Sequence, residues 1–334
     1  MGAEGMVKKM RRQSYSFGLT DTLLAEVGRL PLDVLHRDVD AICRCYECIV
    51  SVAERLGVEP PCPRLAGFSY NHVSTLGAPI VFVAGSEPNV KPILHHPEDI
   101  DRLEEPGDYL ASGVVPERLA TLHVLRERRP DAACSIGHQY EGPVTTAMLL
   151  MGEEFVLLPW TDPERAHRLL GFCVESAVNY TRVLRAHLGE PPDEPRPIGI
   201  PDDFAGLFAP ELFAEFVAPY WDRLYAALGA TERHLHSELL RVEHLPFLEE
   251  LGIATFDPSA DQYVTPALLR EHCPVPFTGR IQSWHIADNS PEQLQAMYRD
   301  IASYEPVNIS FYMTALREEP KIAALLDVAR ELES

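Results

Sequence analysis

The feature that most constrains this chain is an alternation of short β-like runs with longer helical ones, sustained along most of its length. The β-like runs are Arg64–Tyr70, Ile80–Ala84, Ala132–Gln139, Arg196–Pro201, Arg233–Ser237, Ile253–Asp257, Pro276–Gln282 and Val307–Met313. Helical spacing of apolar residues marks Val114–Arg128, Pro163–Leu188, Pro210–Leu228, Leu245–Leu251, Pro266–Glu271 and Pro291–Ser303. Alternation of this kind calls for parallel strands joined by right-handed crossovers. The strand count is near eight, no Gly/Ser-rich linker splits the chain, and no G-x-G-x-x-G turn follows an early strand. The expected class is therefore α/β, a closed (β/α)8 TIM barrel rather than an open doubly wound sheet. Ahead of the first run, Asp21–Leu56 reads as helical, which divides the chain into an N-terminal helical extension (residues 1–57) packed on a barrel (58–334), one structural domain overall.

Composition removes several classes of function. The 334 residues are 46% apolar and 24% charged, a globular mixture able to bury a large core. A formal net charge of −21 argues against nucleic acid, whose phosphates need a basic face. No apolar run is long enough for a membrane span, and no signal-like segment follows the first residues. The seven cysteines form no obvious disulfide framework, which points to reduced thiols and a cytoplasmic protein. Cys43, Cys45 and Cys48 share the amphipathic stretch Asp38–Leu56, but only Cys45 and Cys48 fall on one helical face, so they read as small core residues rather than a metal cluster.

In a (β/α)8 barrel, side chains at the C-terminal ends of the strands build the active site. That rule selects Tyr70, Asn71 and His72 after one strand; His138, Tyr140 and Glu141 after another; then Asp202 and Asp203, His236 and Glu238, Gln282 and His285, and finally Tyr312. Each has a plainer reading beside the functional one. Asp202 or Asp203 caps the loop before Pro210, or a member of the pair holds a substrate group. Glu141, just before Gly142-Pro143, is a base or a first-turn carboxylate favoured by the helix dipole. His244 is expected at the surface.

Five stretches, in order, resemble the uroporphyrinogen decarboxylase and corrinoid-linked methyltransferase superfamily: GFSYNHVSTLG from Gly67, EPNVKPILHHPEDIDRL from Glu87, EGPVTTAMLLMGEE from Glu141, IGIPDDFAGLFAPELFAEFVAPY from Ile198 and LEELGIATFDP from Leu248. The resemblance implies the barrel fold over roughly residues 60–330. It does not fix the reaction, because one fold hosts several. In the decarboxylase an F-S-D aspartate holds the pyrrole nitrogens; here Tyr70 takes that position, and the arginine-rich loop that binds carboxylates is not recognisable. In the methyltransferase branch an H-x-C strand and a late cysteine hold zinc; here His236 matches the histidine, Glu238 replaces the first cysteine, and Asn308–Met313 has none. Glutamate is a legitimate though harder zinc ligand.

The resemblance thus implies a metal-dependent enzyme transferring a methyl or related group on a small molecule, and not a true uroporphyrinogen decarboxylase. His236, Glu238 and His285 would hold Zn²⁺, or another divalent metal such as Fe²⁺. His138, Tyr140, Glu141 and Asp203 are the catalytic candidates, and Tyr70, Asn71, His72, Asp202, Gln282 and Tyr312 the substrate-binding ones. A corrinoid protein is an expected partner and a homodimer an expected assembly. The alternatives are a metal-free lyase or decarboxylase using His138, Tyr140 and Asp203, and a non-catalytic member that binds a corrinoid or another partner.

Overall fold

A computed structural model describes residues 12–133, 135–137, 139–259 and 261–333; His138 lies outside the described residues, and its expected catalytic role with it. The strands are β1 (Tyr15–Leu19), β2 (Ile80–Val81), β3 (Asn89–Val90), β4 (Arg196–Pro201), β5 (Ala230–His236), β6 (Ile253–Asp257), β7 (Gly279–Ile281) and β8 (Ile309–Met313). Two parallel sheets, β4-β5-β6 and β1-β8-β7, are linked by a parallel bridge between Phe256 and Phe277, so six strands run in the order β4-β5-β6-β7-β8-β1. Helices between them cover the sheet. The core is continuous, and β8 is buried at four of its five positions, as a strand packed on both faces must be.

Local signals account for the helix ends. Val39–Leu56 starts where the Asp38 carboxylate accepts the Ala41 N–H at 3.0 Å and ends at Gly57, whose φ of +62° favours glycine. Pro163–His187 begins with proline at its first turn, capped by Asp162. Of the three cysteines expected in the core, Cys45 is buried, Cys43 half-buried and Cys48 exposed, so the core reading fails for Cys48, which lies on the solvent side of the helix. Among the described residues no helix is long and apolar enough to cross a membrane.

The expected eight-stranded ladder is corrected in three places. Tyr15–Leu19, ahead of the first anticipated strand, pairs residue for residue with Ile309–Met313. Ile80–Ala84 supplies only β2, which pairs antiparallel with β3 away from the main sheet. The described residues of Arg64–Tyr70 and Ala132–Gln139 form no ladder. Side chains bind them instead. Asp21 accepts the Gly67 N–H at 2.8 Å and an Arg64 N–H at 3.0 Å, while the buried Arg118 donates to Ala66 O at 2.8 Å and Ile136 O at 2.5 Å. Hydrogen bonds from Ala133 N to Pro63 O and from Gly142 N to Pro201 O tie the two segments to each other and to β4. A complete eight-stranded barrel is thus not formed by the ladders; the molecule is α/β with parallel strands.

Candidate active site

The C-terminal ends of β4, β5 and β6 deliver Asp203, His236 and Asp257 into one cavity of about 560 Å³, whose wall also includes Ser69, Glu141, Arg280 and Tyr312. His236 Nδ1 lies 2.9 Å from Asp257 Oδ2, and His236 Nε2 lies 3.5 Å from Asp203 Oδ1. An ionised carboxylate can only accept, so Asp257 fixes the proton on Nδ1 and leaves Nε2 facing Asp203. Arg280 holds Asp257 in turn: its guanidinium donates to Asp257 Oδ2 at 2.9 Å, Ser259 Oγ at 3.1 Å and Ser310 Oγ at 3.2 Å. Beyond the strand end, Glu238 returns to the same place, so that ligand atoms of Asp203, His236 and Glu238 all lie within 4.8 Å of one another.

The electrostatics follow from this crowding. Burial raises the Asp203 carboxyl to about 6, with further upward pushes from Glu238, Asp202 and Asp257 against the pull of His236. Burial also raises Asp257, but its bonds to His236 and the Arg280 charge overcome this and hold it well below the usual carboxylate range. Burial alone would lower His236; the Asp257 bond and the charges of Asp257 and Asp203 reverse this and raise it. Glu141 is 7% exposed, its Oε2 has no hydrogen-bond partner, and burial pushes it well above the carboxylate range despite a hydrogen bond to Ser69.

The other candidates separate into wall and scaffold. Tyr312 lines the cavity, half exposed, with the Arg280 guanidinium 5.6 Å from its ring centroid. Tyr70 is half-buried, outside the residues that line the cavity, and is raised by burial and by the charges of Glu141, Glu87 and Asp203. Tyr140 is buried, donates weakly to Gly199 O at 3.4 Å, and is pushed up to about 12 by burial. Asp202 turns away from the cavity: fully buried, it accepts Trp221 Nε1–H and Thr145 N–H at 2.6 Å and Val144 N–H at 3.2 Å. It therefore caps the helix Pro143–Met151, whose own N-cap is Gly142. A Cβ on Gly142 would sit 2.5 Å from Asp202 Oδ2, so only glycine admits this cap.

Asn71 and His72 belong to the core rather than the cavity. Asn71 Nδ2 reaches Ile136 O at 3.4 Å, and His72 Nε2 meets Ser176 Oγ at 3.0 Å beneath the ring of Tyr180. Gln282 donates to Ser259 O at 2.7 Å, bracing the loop beside Asp257. His285 caps its own short helix by accepting the Gln282 N–H at 3.3 Å and is not part of the Asp203–His236–Glu238 group. His244, expected at the surface, is buried and bonded to Phe208 O at 2.9 Å. Asp257, Arg280 and Ser69 escaped the sequence reading. Asp257 ends a strand and satisfies the same strand-end rule; Arg280 sits between buried Gly279 and Ile281, so strand alternation marks it as facing the other way.

Parallel strands ending in a histidine between carboxylates define an α/β protein with an acidic, chemically equipped cavity at its strand ends. The model of one family, uroporphyrinogen decarboxylase (URO-D), matches residues 71–331, and the chain belongs to that family. Among solved structures, a methyltransferase from Methanosarcina mazei superposes with a TM-score of 0.71 at 16% identity, covering 98% of this chain and 95% of that one. A thiamine phosphate pyrophosphorylase from Pyrococcus furiosus matches at a TM-score of 0.24 and 9% identity over 48% of this chain and 78% of its own, too little to carry an argument. No curated protein matches the chain in sequence.

Proposed function

We propose that the chain is a metal-dependent enzyme that moves a methyl or related group on a small molecule, with a corrinoid protein as the partner that donates or accepts it. The observation that carries this reading is the group formed by Asp203, His236 and Glu238, with ligand atoms within 4.8 Å of one another. Family membership and the methyltransferase of the same fold support the class of reaction. The donors suit a divalent cation. They offer one nitrogen and two carboxylates, and Asp203 Oδ1 is buried with no hydrogen-bond partner. Asp203 takes the third ligand position that sequence reasoning gave to His285. When bound, zinc or ferrous iron would supply Lewis-acid polarisation of the reacting group.

The protein's own groups do the rest. Asp257, steadied by Arg280, orients the His236 ring, as partners behind a ligating histidine do. Glu141, favouring its protonated form, faces the cavity as a proton source for the heteroatom that loses the transferred group. Ser69 and Glu141 both reach the cavity. That supports reading the segment at 64–70 and the one leading into Glu141 as the two remaining staves of a barrel with residues 12–57 packed on it; residues 1–11 of the expected extension lie outside the described residues. Against uroporphyrinogen as substrate stands the wall itself, where Arg280 is the one guanidinium or ammonium among the described lining residues and is already bound to Asp257. A substrate with many carboxylates needs free cations.

Elemental analysis of the purified protein, with Asp203→Asn, His236→Ala and Glu238→Gln beside it, tests the reading. About one zinc or iron per chain, lost in each variant, is the expected result. Absence of metal, with activity unchanged in His236→Ala, would instead favour a metal-free lyase. That reading draws on the two protonatable cavity carboxyls, Asp203 at about 6 and Glu141 well above the ordinary range.

A further inference from the structure

The loop after β4 carries Asp203 and the loop after β5 carries Glu238, and the two are pressed together with no side chain between them. Gly206, in the 3₁₀ turn Ala205–Leu207, lies against the backbone of Leu239 and Leu240. A Cβ there would fall inside the carbonyl group of Leu239 and come within 2.6 Å of Leu240 N. These are backbone atoms that cannot swing aside. Leu239, immediately after Glu238, has a φ of +64°, a left-handed conformation that a leucine holds only where its surroundings impose it. The same two loops share one further tie: buried Ser237 donates from Oγ to Asp202 O at 2.8 Å, while Asp202 N–H bonds His236 O at 2.8 Å.

We propose that Gly206 and Ser237 are positioning residues that set the distance between Asp203 and Glu238 and so tune the affinity of the metal-ligand group. The inference rests on the metal reading given above. Neither residue touches the cation. Gly206 fixes how closely the loops approach, and Ser237 locks the β5 loop to the Asp202 carbonyl one residue before Asp203. Bulk at position 206 would drive the loops apart and carry Glu238 out of reach. Loss of the Ser237 hydroxyl would let them drift without adding bulk.

The test is zinc titration of the full-length, metal-stripped protein by competition with a chromophoric chelator, comparing wild type with Gly206→Ala, Ser237→Ala and Gly171→Ala. Gly171 lies in the helix Pro163–His187, where a Cβ would meet Arg223 Nη1 at an ordinary 3.7 Å. Circular dichroism and Tm monitor the fold. The expected result is zinc binding weakened about 10–100-fold in Gly206→Ala and Ser237→Ala, the range found for partners behind metal ligands, and unchanged in Gly171→Ala. Should Gly206→Ala fail to fold, Ser237→Ala decides alone, since it removes one oxygen and adds nothing. Folded variants that bind zinc as tightly as wild type overturn the inference and leave the metal reading intact. A wild type that binds neither zinc nor, in the same titration run anaerobically, ferrous iron overturns both.

Discussion

Asp202 and Asp203 are neighbours of identical chemistry, yet the fold assigns them different work. Asp202 accepts three N–H groups and is sealed beneath Trp221, so Asp202→Ala strands those donors and is expected to cost about 3 kcal/mol or more in urea unfolding. Asp203 faces the cavity and must lose its proton to bind a cation. Metal affinity is therefore expected to weaken as pH falls, first where His236 gains its proton, above the ordinary 6.5, and further through about 6 as Asp203 protonates, measured by zinc titration across that range. His72 gives a stability prediction of definite sign. Burial lowers it to about 3 from an ordinary 6.5, so the folded state binds this proton less readily than the unfolded one. The stability it preserves is complete above pH 6.5 and is lost as pH falls from there toward 3, by up to about 1.4 kcal/mol per unit. Urea midpoints for wild type and His72→Gln should converge as the pH drops; a constant gap would show that His72 does not govern the acid limb. Sequence reasoning named both aspartates and His72 because strand ends are visible in a periodic pattern. It could not separate cap from cavity, because the donors that claim Asp202 come from residues 144, 145 and 221, brought close only by folding.

Elements were legible where their own hydrogen bonds make them. Pro163–His187, β4, β5, β6 and β8 lie within a residue or a few of their expected positions, since helical and strand periodicities report burial directly. The misses share one cause. Arg64–Tyr70 and Ala132–Gln139 have strand-like composition, but Asp21 and Arg118 satisfy their backbone in place of a ladder, and no periodicity encodes that. Tyr15–Leu19, with its glycine and serine, makes a weak strand by itself and becomes one because the β8 edge awaits it. Arg118 thereby acquires an outsized role for a helix residue: it is 4% exposed, stacked 4.3 Å from the Phe68 ring centroid, and bonded to carbonyls on both unladdered segments. Arg118→Met, similar in length but without donors, is expected to lower stability by about 3 kcal/mol in denaturant titration, more than an exposed arginine's loss would explain.

For the whole molecule, the charge of −21 and an acidic cavity point the same way, toward a neutral or cation-assisted substrate rather than a polyanion. The family was readable from motif order alone, while the approach of Asp203 to His236 and Glu238 was not, because Asp203 and Glu238 converge through loop geometry. The sheet's edge is closed by β1, whose Tyr15 and Phe17 rings pack 6.1 and 5.4 Å from Phe311. Removing residues through Leu19 bares that edge and is expected to lower Tm by on the order of 10 °C, followed calorimetrically.

The pairing of β1 with β8 also has a meaning in time. Thr20 and Met313, which hydrogen-bond across it, stand 293 positions apart, so one strand leaves the ribosome long before its partner. Until Ile309–Met313 emerges, Tyr15–Leu19 lacks the strand it pairs with, and it waits while all the residues between them are made. Closure of the sheet's edge is a contact between distant parts of the chain, made only after everything between the two strands has been synthesised.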